Sequence, residues 1–352
     1  MTPGEVVITR NLRESLNTYF DGKNYSYVGV LVDENTRAHC YDLVKDALPP
    51  HIILEIESGE DKKTLDTCAS IWHQLTEARF DRKSLLINLG GGVIGDMGGF
   101  CAATYKRGIE FINLPTTLLA QVDASIGGKL GIDFQGFKNH IGLFQSPQKV
   151  IIHDHFLNTL PYKELRSGFA EVIKHNLIRD KAGWINLIKT PLKEQPWYDI
   201  IAHSTRVKQE IVAEDPLEKG LRKILNFGHT IGHAVESFYL NKPGKHLLHG
   251  EAIAVGMIAE AQLSTWKNGM PENECSQITN YLVDLYEPAP IDTNDIQEIS
   301  RLALQDKKNQ GLNIKCSLLE EIGKANYDIP LEQKEIHDAL EQYNQLLPKH
   351  HQ

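Results

Sequence analysis

Cysteine is scarce and scattered in this chain. The five cysteines among 352 residues lie far apart, and no two of them form a CxxC pair. A disulfide framework or a thiolate metal site needs clustered or regularly spaced cysteines, so neither is expected. We therefore expect reduced and mostly buried thiols at Cys40, Cys68, Cys101, Cys275 and Cys316.

Long apolar runs are missing as well. No uninterrupted apolar stretch approaches the roughly 20 residues that a membrane span needs. The N-terminal MTPGEVVITRNLRESL has no apolar core of the signal-peptide type. We expect a cytoplasmic protein that does not enter a membrane.

Positive charge is not in excess. Lys and Arg number 37 against 46 Asp and Glu, which gives a formal net charge of −9. This balance argues against general binding to nucleic acid or to an anionic membrane surface. It leaves room for a small anionic substrate held by a local group of Lys and Arg. With 41% apolar residues, the chain can bury a large core in one or two domains.

The first part of the chain alternates short apolar runs with helical patterns. Strands alternating with helices predict a parallel sheet that is covered on both faces. The predicted strands are 27–33, 51–57, 84–90, 109–117 and 149–154, and the clearest helix between them is 61–80.

After about residue 158 the pattern becomes helical, beginning with 160–180 and continuing beyond residue 290. We therefore predict an α/β nucleotide-binding domain with a Rossmann-like parallel sheet over residues 1–158. A mostly α-helical domain, which binds metal and substrate, is predicted over 159–352.

A glycine-rich stretch directly follows one predicted strand. In GGGVIGDMGG, residues 90–99, Gly90, Gly92 and Gly95 fit the pattern G-x-G-x-x-G. Glycines there let the backbone approach a pyrophosphate, and the N-terminus of the next helix favours the anion. A tight strand-to-helix turn needs glycine equally. The loop also lies about a quarter of the way along the chain, unlike that of a standard Rossmann unit, so alone it leaves both interpretations open.

Three polar residues share one face of the helix predicted over 160–180. Glu171, Lys174 and His175 are spaced i, i+3 and i+4. A carboxylate and a lysine buried without partners would be costly. For this helix alone, a solvated face with an i, i+3 salt pair is the favoured interpretation.

Histidines mark the next two helical segments. His229 and His233 are one turn apart in ILNFGHTIGHAVE, with Glu236 on the same side, and His249 begins the segment HGEAIAVGM. The motif is not HExxH, because Thr230 follows His229 and no glutamate is placed as a protease base. Histidines and a carboxylate near successive helix starts favour a divalent cation in a site of the catalytic type.

Basic and amide side chains recur beside glycines or near the ends of elements. Each alone is typical of a solvated surface, but together, in an acidic protein, they suit a substrate that carries phosphate and carboxylate. They are Arg107, Lys129, Lys138, Asn139, Lys208, Arg222, Asn226 and the DKK at 306–308.

The blocks around these residues resemble the 3-dehydroquinate synthases of the shikimate pathway. The resemblance runs from about residue 57 to about residue 323, in the family's order and approximate spacing. It departs mildly at Leu130, where threonine is common, and at FQSPQ, where FxQP is common. Its blocks are GGGVIGDMGGFCAATYKRGIEFINLPTTLLAQVDASIGGKLGID, GFKNHIG, AEVIKH, GLRKILNFGHTIGHAVE, HGEAIAVGM and DKK.

The resemblance implies a carbon–oxygen lyase of dehydroquinate synthase-like fold that uses NAD and a divalent metal, Zn²⁺ or alternatively Co²⁺ or another cation. The family converts 3-deoxy-D-arabino-heptulosonate 7-phosphate (DAHP) to 3-dehydroquinate and phosphate. A hydride is taken from the C5 alcohol, phosphate is eliminated, the hydride is returned, and the opened ring closes by an intramolecular aldol reaction. NAD is therefore not consumed. A homodimer is also implied.

The resemblance further implies metal ligands at Glu171, His229 and His249. It places His233 near the phosphate as a proton relay, and Arg107 reaches into the neighbouring subunit's site. The implied catalytic residues are Lys129, Lys174, Lys208, Asn226 and His233. The implied substrate contacts are Asp123, Arg107, Lys129, Asn139, Lys208, Arg222, Asn226, His233 and either Lys307 or Lys308. The implied NAD contacts are Asp33, Glu60, Lys63, Gly91, Gly92, Asp96, Thr116, Thr117, Lys138, Asn139 and Thr159.

Three other functions are weighed against this one. A sugar phosphate cyclase acting on sedoheptulose 7-phosphate or glucose 6-phosphate would share the loop and the metal site but not the carboxylate-side residues Lys208 and Arg222. A metal-dependent polyol dehydrogenase would need no phosphate-binding group and would release NADH. A catalytically inactive binding protein would not need the complete set of matched ligands.

Overall fold

The computed structural model describes residues 4–135, 137–240, 242, 244–304 and 314–348, which divide into two compact units. The first unit comprises Met1–Leu165 with Pro196–Gln209, and the second comprises Arg166–Gln195 with Glu210–Gln352. The sequence predicted a single boundary at residues 158/159. In the structure the first unit continues to Leu165 and also includes the later segment 196–209. Within the first unit, the Arg10 guanidinium lies 4.3 Å from the Tyr198 ring centroid, and Thr205 Oγ1 lies 3.5 Å from the Gln121 carbonyl oxygen. These contacts attach the segment to the sheet-containing unit.

Strands of the first unit form a six-stranded sheet and a separate hairpin. In chain order they are β1 (Glu5–Ile8), β2 (Val28–Asp33), β3 (Ile52–Ile56), β4 (Leu85–Gly90), β5 (Glu110–Pro115), β6 (Lys129–Phe134), β7 (Phe137–Phe144) and β8 (Lys149–Ile152). The sheet order is β1-β8-β5-β4-β2-β3, and each neighbouring pair is parallel. The predicted parallel sheet is confirmed, whereas β1 was not predicted.

Helices of the first unit cover both faces of this sheet. They are α1 (Leu12–Phe20), α2 (Glu34–His39), α3 (Leu65–Glu77) and α4 (Gly92–Thr104). Successive strand residues point to opposite faces. Val30 accordingly packs in one core cluster with Leu16 of α1, whereas Leu31 packs in another with Met97 of α4. Covering both faces explains why β2 and β4 are continuous apolar runs.

Helices dominate the second unit, as predicted. Two of the three boundaries between the units, at residues 165/166 and 209/210, fall within helices. Continuing in chain order, the helices are α5 (Tyr162–Arg179), α6 (Lys181–Leu187), α7 (Trp197–Glu214), α8 (His229–Leu240), α9 (His249–Asn268), α10 (Glu272–Tyr286), α11 (Thr293–Ala303) and α12 (Gln333–Leu346). The region after residue 290 is not wholly helical, because β9 (Ile314–Glu321) and β10 (Lys324–Leu331) form an antiparallel pair.

Helices α8 and α9 pack backbone against backbone. A Cβ added at Gly256 would lie 2.0 Å from the Gly228 carbonyl oxygen and 2.6 Å from the Gly232 nitrogen. Gly228 has φ +79°, a conformation that favours glycine. Glycine at these positions therefore lets α8, which begins with His229, lie directly on α9, which begins with His249.

Two expectations from composition are tested by the described residues. All five cysteines are buried and free, so the expected reduced, buried thiols are confirmed. No described helix combines the length and the apolar character that crossing a membrane requires.

Candidate metal centre and cofactor loop

Glu171 lies in α5 with no part of its side chain exposed to solvent. Lys174, one turn later, is also buried and forms an ion pair with this carboxylate. His175 is fully buried as well. The solvated salt pair favoured for this helix alone is therefore wrong. Both charges are removed from water, which is costly unless each is well partnered.

Two histidines from different helices face the Glu171 carboxylate. The Nε2 atoms of His229 and His249 lie 3.3 Å and 3.5 Å from its Oε1. One ligand atom from each of the three residues lies within 4.8 Å of the other two. The structure thus brings together the three residues that the resemblance marks as metal ligands.

The far side of each imidazole meets an acceptor. Nδ1 of His229 lies 3.1 Å from the Phe227 carbonyl oxygen, and Nδ1 of His249 lies 3.4 Å from Oε2 of Glu236. These oxygens only accept hydrogen bonds, so Nδ1 carries the proton in each neutral ring. In that form, the Nε2 atom of each ring presents its lone pair to Glu171. Outer acceptors orient histidines in the same way in protein metal sites.

The charges at this group suit a cation. Burial would raise the pKa of Glu171, but Lys174 and His229 hold it well below its usual range. Burial lowers the pKa of His229, and Lys174 lowers it further, so this ring is neutral. Burial would also lower the pKa of His249, but the Glu236 and Glu171 carboxylates raise it to about 10. The two carboxylates therefore favour a positive charge at His249, which a proton supplies in the absence of a metal. A divalent cation would compete with that proton for the same ring.

The donor set itself fits a divalent cation. Neither oxygen of Glu171 accepts a hydrogen bond of normal geometry from the described residues, although both are buried. Beyond its ion pair with Lys174, this carboxylate therefore has acceptor capacity left. Two imidazoles with one carboxylate are typical of catalytic zinc sites, which keep a coordination position for water or substrate.

His233 lies beside these ligands. Its ring centroid is 5.0 Å from that of His229 and 6.0 Å from that of His249. His233, Glu236 and His249 also offer ligand atoms within 4.8 Å of one another. Because His249 belongs to both sets, the two candidate sets overlap, and His233 lies next to the Glu171, His229 and His249 group. Its role as a proton relay stays a prediction.

The turn before α8 is organised by Asp215. Its carboxylate accepts hydrogen bonds from the backbone N–H groups of Lys219, Gly220 and Arg222, at 3.0, 2.7 and 3.1 Å. The side chain of Arg222 is buried, and its Nη1 donates to the Pro216 carbonyl oxygen at 2.7 Å. Asp215 therefore fixes the turn that carries Arg222.

Asn226 lies at the end of the same turn. Its Nδ2 donates to Oε1 of Glu218 at 2.8 Å, and Glu218 has φ +58°. Sequence reasoning missed both Asp215 and Glu218, because the stretch DPLEKG has neither helical spacing nor a recognised motif.

The glycine stretch of the first unit joins β4 to α4 as the sequence predicted. Gly91 is the N-cap residue of α4, and Gly92 is its first residue. A narrow cleft beside the loop is lined by Gly90, Gly92 and Gly95, among others. The neighbours of β2 are β3 and β4, so the strand order reverses between β2 and β4. Ligands of open α/β sheets bind outside the carboxyl ends of the strands at such a switch point.

The buried side chain of Lys63 contacts other residues that are predicted to bind NAD. Nζ of Lys63 lies 2.6 Å from Oδ2 of Asp96 and 2.6 Å from Oδ1 of Asn139. Lys138, beside Asn139 in β7, lies 3.5 Å from Glu60. Burial would lower the pKa of Lys63, but Asp96 and other acids nearby raise it, so the lysine stays protonated.

The other predicted NAD contacts lie at strand ends and turns. Asp33 ends β2 and caps α2, where its Oδ1 accepts from the Thr36 N–H at 2.7 Å. Thr116 is buried, and its N–H donates to the Gly90 carbonyl oxygen at 3.0 Å. The next residue, Thr117, borders Gly91: a Cβ at Gly91 would lie 3.0 Å from Thr117 Cγ2. Thr159 is an exposed residue that ends a 3₁₀ segment.

Predicted substrate contacts of the first unit are spread along it. Lys208 of α7 is buried, and its Nζ lies 2.7 Å from Oδ1 and 2.6 Å from the carbonyl oxygen of Asp123. Lys129 is an exposed residue at the start of β6, and Arg107 is exposed with φ +70°. Lys307 and Lys308 lie outside the described residues.

Comparisons with known proteins identify the family to which the chain belongs. A family model described as 3-dehydroquinate synthase N-terminal matches residues 53–167, and one described as 3-dehydroquinate synthase C-terminal matches residues 168–309. The 3-dehydroquinate synthase of Parabacteroides distasonis is 39% identical over 98% of this chain and 99% of its own length. That of Clostridium botulinum is 38% identical over 90% of this chain and 91% of its own length.

Solved structures share the fold. A 2-deoxy-scyllo-inosose synthase complexed with carbaglucose-6-phosphate, NAD⁺ and Co²⁺ aligns with a TM-score of 0.81 at 25% identity, covering 96% of both chains. The 2-epi-5-epi-valiolone synthase of Streptomyces hygroscopicus, with NAD⁺ and Zn²⁺ bound, aligns with a TM-score of 0.85 at 24% identity, covering 98% of both chains. With both family models and full-length relatives matched, the chain belongs to the 3-dehydroquinate synthase family.

Proposed function

We propose that this protein is a 3-dehydroquinate synthase that converts DAHP to 3-dehydroquinate and phosphate. The observation that carries the proposal is the match of both family models over residues 53–309, which includes the buried group of Glu171, His229 and His249. Full-length relatives of that name at 38–39% identity support it. Location in the cytoplasm and assembly as a homodimer are part of the same proposal.

The proposed cofactors are NAD and a divalent cation, Zn²⁺ or Co²⁺. When bound, NAD⁺ accepts a hydride from an alcohol carbon and can return it, while the cation polarises hydroxyl oxygens. Glu171, His229 and His249 would hold the cation. Lys174 keeps Glu171 ionised, and the Phe227 carbonyl and Glu236 orient the two imidazoles.

The glycine loop is the proposed NAD pyrophosphate site. The N-terminus of α4 at Gly91 and Gly92 directs backbone N–H groups and a positive helix dipole outward from the carboxyl end of β4. Asp33 ends the neighbouring strand on the other side of the switch point, where acidic residues contact the ribose of NAD. Lys63 fixes Asp96 and Asn139 through its 2.6 Å contacts.

Substrate roles are proposed for side chains of both sequence halves. Lys129 and Asn139, with Asn226 and Lys307 or Lys308, would bind phosphate. Lys208 and Arg222 would bind the carboxylate, because cationic side chains recognise such anions. Asp123, Lys174 and His233 are assigned to the hydroxyls and to proton transfer, and Arg107 to the neighbouring subunit's site.

Phosphate release from DAHP tests the proposal. The purified protein, supplied with NAD⁺ and Zn²⁺, is expected to release phosphate without a net rise in absorbance at 340 nm. The His229→Ala variant is expected to keep its fold, bind metal weakly and release no phosphate. The Glu320→Gln variant, changed at a partly exposed surface position, provides a matched control that should behave as the wild type.

Two results would redirect the assignment. Phosphate released only from sedoheptulose 7-phosphate or glucose 6-phosphate would identify a neighbouring cyclase, a candidate favoured by the likeness to 2-deoxy-scyllo-inosose synthase. Accumulation of NADH without phosphate would identify a polyol dehydrogenase.

A further inference from the structure

Glu260 is a buried acid that the proposed chemistry does not use. It lies in the middle of α9, and its side chain is fully buried. Its Oε2 accepts a hydrogen bond from the Gly228 N–H at 2.6 Å, and its Oε1 accepts one from the Ile231 N–H at 2.9 Å. The two oxygens therefore hydrogen-bond to the backbone on both sides of His229, the first residue of α8.

This carboxylate replaces an ordinary helix cap. The first N–H groups of a helix have no partner within it, and a side-chain oxygen from the preceding residue commonly satisfies one. Here the preceding residue is Gly228, which has no side chain, so the acceptor comes from another helix. A carboxylate at this end also complements the positive pole of the α8 dipole.

Helix α9 thus contributes to the position of both histidines of the proposed cation site. His249 begins α9, and Glu260 lies eleven residues further along it, about three turns. The close contact of Gly256 with the backbone of Gly228 and Gly232 brings the two helices together between these points. A shift of α8 along α9 would move the His229 ring relative to His249 and also break both Glu260 hydrogen bonds.

We propose that Glu260 is a positioning residue of the cation site, which holds the first turn of α8 so that His229 and His249 face Glu171 together. The inference rests on the proposed cation site. It adds a residue outside the ligand set and its direct partners.

Other groups at the carboxylate fit this role. Cys316 and Thr230 lie beside Glu260, and burial, with Glu260 nearby, keeps the pKa of the Cys316 thiol well above its usual range. Cys316 therefore stays a neutral thiol, and its Sγ donates to the Ser317 carbonyl oxygen at 3.6 Å. Burial raises the pKa of Glu260 to about 8, whereas the hydrogen bonds from the Ile231 and Gly228 N–H groups lower it.

Glu260→Gln tests the inference with Co²⁺ as the probe. Glutamine keeps the size but turns an NH₂ group towards one of the two backbone donors. We expect the dissociation constant of Co²⁺ to rise at least about tenfold, as when outer partners of metal ligands are lost. The visible absorption bands of bound Co²⁺, which report ligand geometry, should shift. Both are measured well below the melting temperature of the variant.

The matched control is Glu274→Gln. Glu274 also accepts a backbone hydrogen bond within the second unit, from the Ile322 N–H at 2.6 Å, and its ion-pair partner is Lys181 of α6. This variant is expected to lower the melting temperature while leaving Co²⁺ affinity and spectrum unchanged. A merely structural role of Glu260 would give the same result as this control.

The outcomes separate the two proposals. Wild-type protein that binds no Co²⁺ would overturn the cation site and this inference with it. Wild-type binding with an unchanged dissociation constant and spectrum in Glu260→Gln would overturn the inference alone. If Glu260→Gln does not fold, hydrogen exchange of the metal-free wild type decides. Slow exchange at Gly228 and Ile231 would support a preformed turn, and fast exchange would contradict it.

Discussion

Glu236 contacts a proposed metal ligand but is not itself one. Its Oε2 lies 3.4 Å from Nδ1 of His249, and its side chain is buried. Replacing Glu236 by glutamine removes the negative charge that orients and polarises this imidazole. We expect Zn²⁺ affinity to fall about 10- to 100-fold, the usual effect of losing such a partner. Competition with a chromogenic chelator measures the change.

The control for this prediction is the surface pair formed by Glu320 and Lys324. Their side chains are 56% (Lys324) and 42% (Glu320) exposed, so removing the charge at Glu320 is expected to change little in either stability or metal binding. A Glu236→Gln variant with wild-type Zn²⁺ affinity would show that the Glu236 contact does not support the site.

Lys63 makes a second prediction at the residue scale. Lys63→Met leaves the Asp96 carboxylate without its 2.6 Å partner. Breaking a buried ion pair in this way costs about 3 kcal/mol of unfolding free energy, the lower end of the usual range, since Asp96 is partly exposed. Urea unfolding checks the value. The double variant Lys63→Met/Asp96→Asn should recover part of the loss.

The loss in Lys63→Met should also depend on pH. Burial raises the pKa of Asp96 above its unfolded value, and Lys63 is the main group that opposes this. Without the lysine, the folded variant favours the protonated acid. Stability is then greatest below the unfolded pKa and declines as pH rises through the raised pKa. A deficit that stays constant from pH 4 to pH 8 would contradict this account.

Single residues were predictable where a motif or a spacing pointed to them. His229, His233 and His249 stand out by spacing, and the structure brings them together. Glu260 did not stand out, although an acid inside the apolar run GMIAEAQL signals a buried partner. Its partners are backbone N–H groups of another helix, which no sequence pattern records.

At the scale of elements, two glycines of α4 serve different needs. A Cβ at Gly98 would lie 2.1 Å from Oδ1 of Asn88 in β4, so the packing of helix on sheet requires glycine there. At Gly95 an added Cβ meets nothing within 4 Å. Packing within the fold therefore does not require glycine at position 95. A pyrophosphate that enters the cleft close to the helix backbone would require it.

Gly95→Ala should therefore separate binding from stability. Alanine is the better helix former by about 1 kcal/mol, so the melting temperature is expected to stay equal or rise. NAD⁺ affinity, measured by calorimetry, is expected to fall because the methyl group enters the cleft. Gly98→Ala should instead lower the melting temperature. Unchanged NAD⁺ affinity in Gly95→Ala would place the pyrophosphate elsewhere.

Elements with strong periodicity were predicted well. The sheet strands other than β1, and the helices α3, α5, α7, α8 and α9, follow continuous apolar runs or helical spacing, since burial of those faces drives their formation. The β6–β7 hairpin and the β9–β10 pair were not predicted. Gly127 and Gly128, with φ +106° and +65°, precede β6, and their sequence IGGK was read only as a motif.

For the whole molecule, the two cofactors are proposed to bind different units. The glycine loop lies in the first unit, and the Glu171, His229 and His249 group lies in the second. A ligand stabilises the native segments it contacts, by about 2.7 kcal/mol at one hundred times its dissociation constant. The two cofactors should therefore stabilise different segments of the chain. From the sequence, this division is predicted only through the family resemblance.

Hydrogen exchange of the full chain tests this division. NAD⁺ is expected to slow exchange at residues 90–96 and near Thr116, whereas Zn²⁺ slows it at 228–233 and near His249. Helix α12 supplies an internal control, because His337, Asp338 and Glu341 also offer ligand atoms within 4.8 Å but are partly exposed. At one equivalent of Zn²⁺ the buried group should be protected first, since Glu171 is already ionised there and paired with two imidazoles. Protection of α12 before 228–233 would contradict the proposed cation site at Glu171, His229 and His249.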